Sequence, residues 1–408
     1  MSIEKSPMTN RTSKTVLIIL FIAAGFILAY PQAMMDIYLP VLPYLDKALN
    51  TSKEMVQYTV AFFLLGSAIS QLISGVLSDC FGRIRILILG LLVTMLGSAL
   101  CHVEHTIEWM LIGRVFQGIG AGMAAVLARV IVADSFQGKA FSKVYALLIA
   151  FSVFTISISP VISGYLMQYQ GWHSVVSFMF WYALVIALIV VFGLVIGRNS
   201  IKATTSHTKV NMAQVLKIMF NLRFLTATLV MFFVYGVVAC VLLTYPYIFV
   251  QVYHMPVAAF GWVIALVILC MLIGAWLNGI LLRKYSMMSL VKIALIVMFI
   301  SMIGVTLSSN TSTYTADIIC LSVFWLVYLW VYPNMMAIAT SVYPEYKGSS
   351  IAIFSFIQII GGFVFTALGA WHVLDTVYEL GVTGMIGLLL AFVVFSILQR
   401  VTSKVHNS

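Results

Sequence analysis

The chain has 408 residues, of which 62% are hydrophobic and 8% charged, and its mean hydropathy is +1.10. Soluble domains carry about 25% charged residues, so a water-soluble globular fold is excluded and a polytopic helical membrane protein is implied. The formal charge of +10 would suggest a nucleic-acid partner in a soluble chain, but here its placement assigns it to topology.

Apolar runs of about 20 residues, the length that spans a bilayer as a helix, predict twelve spans. The first six cover 15–41, 54–77, 86–103, 107–132, 142–168 and 174–196. The second six cover 224–249, 257–282, 288–308, 314–342, 349–371 and 381–399. The expected architecture is an all-α membrane protein of two six-helix bundles, 15–196 and 224–399. Between them 197–223 is the one long polar connection, a linker carrying Arg198, Lys202, Lys209, Lys217 and Arg223 and suited to an anionic lipid surface. Residues 1–14 and 400–408 are short tails.

Within the first span there is no charge from Thr15 to Met35, and then "AMMDIYLPVLP" introduces Asp36. With a helix ending near Pro43, Asp36 sits on the order of 10 Å below the outer surface. The fourth span begins near Thr106 and carries Arg114 on the order of 12 Å below the same surface. An ion at that depth costs several kcal/mol unless it is paired or lines a wet cavity, so both residues are candidates for function. The plain alternatives are an acid at the headgroups and an arginine tying helices through backbone carbonyls.

Of the 22 Lys and Arg residues, only Lys47 and Lys53 fall on the odd-numbered connections, and only Arg114 and Arg129 fall deep inside spans, with Lys143 and Lys292 near the starts of theirs beside even-numbered connections. The remainder occupy the two tails, the central linker and the other even-numbered connections. The positive-inside rule then predicts both termini in the cytoplasm and a chain resident in the cytoplasmic (inner) membrane. The opening run is read as an uncleaved first span, since it lacks a convincing small-residue cleavage site. The five cysteines, Cys80, Cys101, Cys240, Cys270 and Cys320, follow no metal-ligand spacing and predict no disulfide. No glycine-rich phosphate loop, paired carboxylates, histidine cluster or nucleophile constellation stands out, so neither a cofactor nor an enzyme activity is expected.

The halves echo each other weakly: "SGVLSDCFGR" (Ser74–Arg83) closes the second span and "NGILLRKYS" (Asn278–Ser286) the eighth, with Gly75 matching Gly279 and Leu77 matching Leu281. Paired repeats with a site at their shared midplane are a transporter design. The stretch "GVLSDCFGRIR" (Gly75–Arg85) resembles the hallmark loop of the major facilitator superfamily. Three more segments resemble its Bcr/CflA-type branch, within the twelve-span drug:proton antiporters. These are "DIYLPVLPYL" (Asp36–Leu45), "LIGRVFQGIGAGM" (Leu111–Met123) and Tyr332–Phe363.

The resemblance implies the major facilitator fold and alternating access. It implies that Asp36 carries the coupled proton, with Arg114 as its electrostatic tuner and Gln117 beside it. Burial disfavours a carboxylate's charge and a nearby cation favours it, so moving between such environments can load and release a proton. It further implies a cytoplasmic latch of Gly75, Asp79, Gly82, Arg83 and Asp134, with Arg129 adjacent. Cys80 and Ala133 stand where the family often has basic residues, which weakens that latch. In the fifth span "SPVISGYL" (Ser159–Leu166) keeps Pro160 and Gly164 of the antiporter pattern, while Ser159 and Ser163 replace glycines. Tyr30, Tyr235, Tyr245, Tyr328, Asn334 and Gln358 are candidate pocket residues, able to stack on and hydrogen-bond an organic molecule. Asp317, near the outer end of the tenth span, and Glu104, Glu108, Asp375 and Glu379, in the outer connections, are read as plain acids with no part in coupling.

The expectation is a monomeric, proton-coupled exporter of small organic molecules, a drug or metabolite efflux protein, with the bilayer and protons as partners and no nucleic acid. The alternatives are a dedicated exporter of a self-made metabolite such as a siderophore, a proton-symport importer, and a non-transporting membrane sensor or scaffold.

Overall fold

A computed structural model describes residues 14–103, 106–135, 138–197, 218–309, 314–343 and 347–407. Of the predicted linker, 198–217 lie outside the described residues. Twelve described helices are long and apolar enough to cross a membrane. In chain order they are α1 (Lys14–Asp36), α2 (Lys53–Phe81), α3 (Arg83–Val103), α4 (Ile107–Ser135), α5 (Gly138–Gln170) and α6 (Trp172–Gly197). The second half supplies α7 (Leu222–Pro246), α8 (Val257–Leu281), α9 (Met287–Ser308), α10 (Thr315–Thr340), α11 (Lys347–His372) and α12 (Val377–Asn407). With twelve crossings, α1 begins and α12 ends at the same end of the bundle, the terminal end; the opposite end is distal.

Proline chemistry shapes two distal helix ends. The first helix was expected to run to about Pro43, but α1 stops at Asp36. Pro40 has no N–H to give the Asp36 carbonyl, so the chain tightens into a 3₁₀ turn, Leu39–Val41, and restarts as the short helix Leu42–Ala48. Likewise α7 passes Pro246 and widens into a π-helical turn, Tyr247–Val252. Side-chain caps fix other starts: the Ser52 hydroxyl accepts from Met55 N, the Asn221 amide from Arg223 N and Phe224 N, and the Ser286 hydroxyl from Ser289 N. At the other end of α2, Gly82 takes φ +92°, a conformation that favours glycine.

The two halves repeat one packing scheme. In the first, α2 and α3 pack on α4, α1 packs on α5 and α6, and α3 packs on α6. In the second, α8 and α9 pack on α10, α7 packs on α11 and α12, and α9 packs on α12. This is a six-helix bundle followed by its copy. The bundles meet along two seams, α2 with α11 and α5 with α8.

Small residues allow the closest approaches. On α4, Gly118 and Gly122 lie one turn apart and face α2: a Cβ at either would stand 2.0 or 2.5 Å from the Phe63 or Ser67 carbonyl oxygen. On the α5–α8 seam a Cβ at Gly164 would stand 2.8 Å from the Val257 oxygen, and one at Gly261 2.5 Å from the Pro160 oxygen. Association of helices in lipid rests on such packing and on interhelical hydrogen bonds.

Candidate functional site

Asp36 occupies the last turn of α1, and its side chain is 2% exposed. Gln32, one helical turn earlier, donates from Nε2 to Asp36 Oδ1 at 2.9 Å. Among the described residues Asp36 has no ion-pair partner. Tyr235, on α7 of the other half, lies within electrostatic reach of this carboxylate, and Tyr328 and Tyr332 of α10 stand in the same relation to Tyr235. Asp36 therefore sits where the two bundles face each other, beside Tyr235 of the second.

Arg114 is fully buried but is not bonded to Asp36. Its guanidinium lies between the Tyr38 and Phe63 rings, 4.0 and 4.3 Å from their centroids. Nη1 donates to Gln117 Oε1 at 2.8 Å and Nε to the Thr59 carbonyl at 3.4 Å, while Nη2 meets the Met35 sulfur at 3.9 Å. Gln117 in turn donates to Ser98 Oγ at 2.9 Å. Met35 and Tyr38 flank Asp36 in sequence, so Arg114 lies at the depth of the acid. It grips neighbours of the acid on α1 rather than the acid itself. In this conformation the guanidinium is held in a cage of two aromatic rings, an amide and a carbonyl.

The pocket candidates separate into groups. Tyr235 lies near Asp36, as above, and Tyr328 lies near Tyr235; Tyr328 is 7% exposed, and a Cβ at Gly362 would stand 2.8 Å from the Tyr235 ring. Tyr30 packs on Tyr182 of α6, ring centroids 5.6 Å apart, inside the first bundle. Tyr245 packs on Phe249 at 5.9 Å, toward the distal end of the second. The Tyr30 hydroxyl is buried toward Thr94 of α3 and the Tyr245 hydroxyl toward Trp325 of α10. Asn334 is committed to packing: its amide donates to Asn278 Oδ1 on α8 at 3.1 Å and to the Trp330 carbonyl at 2.8 Å. Gln358 on α11 is buried at 7% exposure. At the terminal end of α10 and α11, Tyr332, Pro333, Met336, Ala337, Thr340, Ser341 and Ile351 line a cleft of about 480 Å³.

Of the expected latch, Gly75 has open space where a side chain would stand, and Gly82 turns the chain from α2 to Arg83, the first residue of α3. The Asp79, Arg129 and Asp134 side chains lie outside the described residues. Pro160 and Gly164 both lie on the α5–α8 seam, and the Ser163 hydroxyl donates to the Ile37 carbonyl next to Asp36.

The distal end holds bonds between the bundles. Lys53 Nζ pairs with Asp375 Oδ2 at 2.6 Å, and Gln57 donates to the Leu374 carbonyl at 2.7 Å. Gln251 donates to the Pro43 carbonyl at 2.7 Å, and Ala258 N donates to Gln168 Oε1 at 3.2 Å.

Asp317 corrects the sequence reading. It was counted among plain acids at helix ends, yet its side chain is 1% exposed and accepts from the Tyr253 hydroxyl at 2.5 Å and from the Ser308 hydroxyl. Its position in the first turn of α10 gave no sign that the turns beside it would fold over it. Gln32 was also missed, although its i,i+4 spacing from Asp36 on an apolar helix was a usable signal.

Two repeated six-helix bundles meeting along paired seams, with a buried acid facing the opposite bundle, define a membrane transporter of the repeat class. A family model described as Major Facilitator Superfamily matches residues 21–366, and the chain belongs to that superfamily. Among its relatives is a bicyclomycin resistance protein homolog of Haemophilus influenzae, 26% identical over 72% of this chain and 73% of that one. Multidrug resistance protein MdtL of Klebsiella pneumoniae is 30% identical over 41% of this chain and 43% of its own. These relatives agree with the Bcr/CflA-type resemblance within the drug:proton antiporter branch. A crystal structure of a D-xylose–proton symporter superposes with a TM-score of 0.73 over 93% of this chain and 97% of that one. At 16% identity that likeness concerns the fold alone.

Proposed function

We propose that this transporter exports small organic molecules in exchange for protons, with Asp36 as the proton carrier. The observation that carries the reading is the state of Asp36: buried, free of an ion-pair partner among the described residues, and held by the neutral amide of Gln32. A purely structural acid in a membrane span would be expected to sit opposite a cation. Here the cation at the same depth is caged separately, which leaves the carboxylate able to gain and lose a proton without breaking a salt bridge. The tyrosines near it supply stacking faces and hydroxyls for an amphipathic organic substrate. The drug-resistance names of the relatives support efflux over uptake.

The cycle follows from one shared space. Asp36 takes a proton from the outer side, the bundles rock about the two seams, and substrate entering from the cytoplasm displaces the proton. The basic-residue pattern puts both termini in the cytoplasm of an inner-membrane protein, so the sealed distal end is the outer one.

The test is accumulation of cationic, neutral and anionic dyes and drugs in cells lacking their main exporters. Wild-type protein is expected to exclude part of the panel, and both Asp36→Asn and a protonophore are expected to abolish that exclusion. Exclusion that survives Asp36→Asn would move proton coupling to another residue. Accumulation driven inward by the gradient would replace export with symport.

A further inference from the structure

Asp317 is a carboxylate in a membrane-spanning helix that the transport reading does not use. We propose that it is a second proton-binding site, facing the distal end, whose protonation weakens the seal between the two bundles. The proposal does not rest on the role given to Asp36.

The argument begins with hydrogen-bond inventory. An ionised carboxylate only accepts, and both oxygens of Asp317 are met by hydroxyl donors: Tyr253 on Oδ2 and Ser308 on Oδ1. Burial and the hydrogen bond to the carboxylate push the Tyr253 phenol above its ordinary value, so it remains a donor. The titratable groups facing Asp317 are Tyr253, Tyr245 from α7 and Cys320 from its own helix. Among the described residues no cation pairs with it. The site is thus built around a lone negative charge.

Protonation changes the strengths of these bonds. A proton from distal-side water adds to Oδ1, and the new O–H donates to Ser308 Oγ. The Ser308 hydroxyl then uses the acceptor it already shares, the Val305 carbonyl at 2.7 Å. Tyr253 keeps only a bond to a neutral carbonyl oxygen, and neutral bonds are about half as strong as charge-assisted ones. Tyr253 lies just beyond the π-helical turn Tyr247–Val252, which rests on Leu42–Ala48 of the first bundle. Two residues before Tyr253, Gln251 makes the cross-bundle bond to the Pro43 carbonyl. Loosening Tyr253 therefore loosens the segment that holds the distal seal, and an acidic distal side favours opening toward it.

The experiment uses the full chain in nanodiscs, with its own cysteines replaced and spin labels at Lys47→Cys and Val252→Cys, both exposed positions on the touching segments. Distance distributions are recorded at pH 8 and pH 5. Wild type is expected to show a rise of roughly fivefold in the ratio of long to short distances at pH 5. Asp317→Asn and Tyr253→Phe are each expected to remove that pH response and hold the long-distance population at the higher level throughout. The response is expected to persist in Asp36→Asn, which separates this site from the proposed carrier. A pH-independent wild type, an intact response in Asp317→Asn, or its loss in Asp36→Asn would overturn the proposal. Should Asp317→Asn fail to assemble, Tyr253→Phe decides alone, and an intact response in it counts against the proposal.

Discussion

Two buried charges on the first bundle have opposite settings. Arg114 is surrounded by partners suited to a planar cation: two ring faces, an amide oxygen and a backbone carbonyl. Lysine offers a compact point charge and cannot stack flat between two rings. Arg114→Lys is therefore expected to destabilise the protein by roughly 2 kcal/mol, read as a lower Tm in detergent. Asp36→Asn is expected to leave Tm unchanged or raised, because it removes a buried charge that has no counter-ion and keeps an acceptor for Gln32. Equal losses of Tm in the two variants would undo the proposed division into a structural cation and a proton-carrying acid. Sequence spacing was enough to find both residues and match their depth. It could not find the cage, because a ring stacked on a guanidinium leaves no spacing rule between Arg114, Tyr38 and Phe63. Asp317 was missed for a related reason: its burial is made by Tyr253 and Ser308, on turns whose approach only the tertiary fold determines.

At the scale of helices, length and composition were legible throughout, since the bilayer fixes both. The twelve predicted spans correspond to α1–α12, and their ends moved where local chemistry intervened. The clearest case is α1, which stops at Asp36 because Pro40 withholds a donor four residues on, although the apolar run continues past it. Seam positions were less legible, since a glycine that admits a neighbouring backbone looks the same in sequence as one facing open space. Gly261 and Gly279 on α8 make the comparison. A Cβ at Gly261 would stand 2.5 Å from the Pro160 oxygen and 3.0 Å from Val161 Cα, both backbone, whereas one at Gly279 would meet nothing within 4 Å. Gly261→Val is expected to part the α5–α8 seam at a cost of roughly 2 kcal/mol and to lower Tm. Gly279→Ala is expected to stabilise α8 by about 0.5 kcal/mol through helix propensity alone. The pair is measured side by side by thermal unfolding, and a Gly261→Val as stable as wild type would mean that the seam is not closed this tightly.

For the whole molecule, the proposed alternating-access cycle requires that neither end be sealed too strongly, and the distal contacts have the right size. Lys53 and Asp375 remain 35% and 27% exposed; pairs of that kind contribute about 0.2–1 kcal/mol after screening. Such a bond adds little to folding but matters for an equilibrium between two arrangements of the bundles, where about 0.8 kcal/mol changes the population ratio roughly fourfold. Lys53→Asp alone places two acids at the seal, and is expected to shift the molecule toward distal opening while Tm changes by no more than about 2 °C. Asp375→Lys should do the same with two cations. The double exchange, Lys53→Asp with Asp375→Lys, restores opposite charges and is expected to recover most of the wild-type distribution, read by the same pair of spin labels at Lys47→Cys and Val252→Cys. Raising salt from 0.05 to 0.5 M should shrink the difference between wild type and the single variants, because the pair is within reach of solvent ions. Recovery in the double exchange would identify the ion pair as a state-selecting contact. Two single variants whose effects simply add, with no rescue, would assign the distal seal to Gln57, Gln251 and the α5–α8 seam.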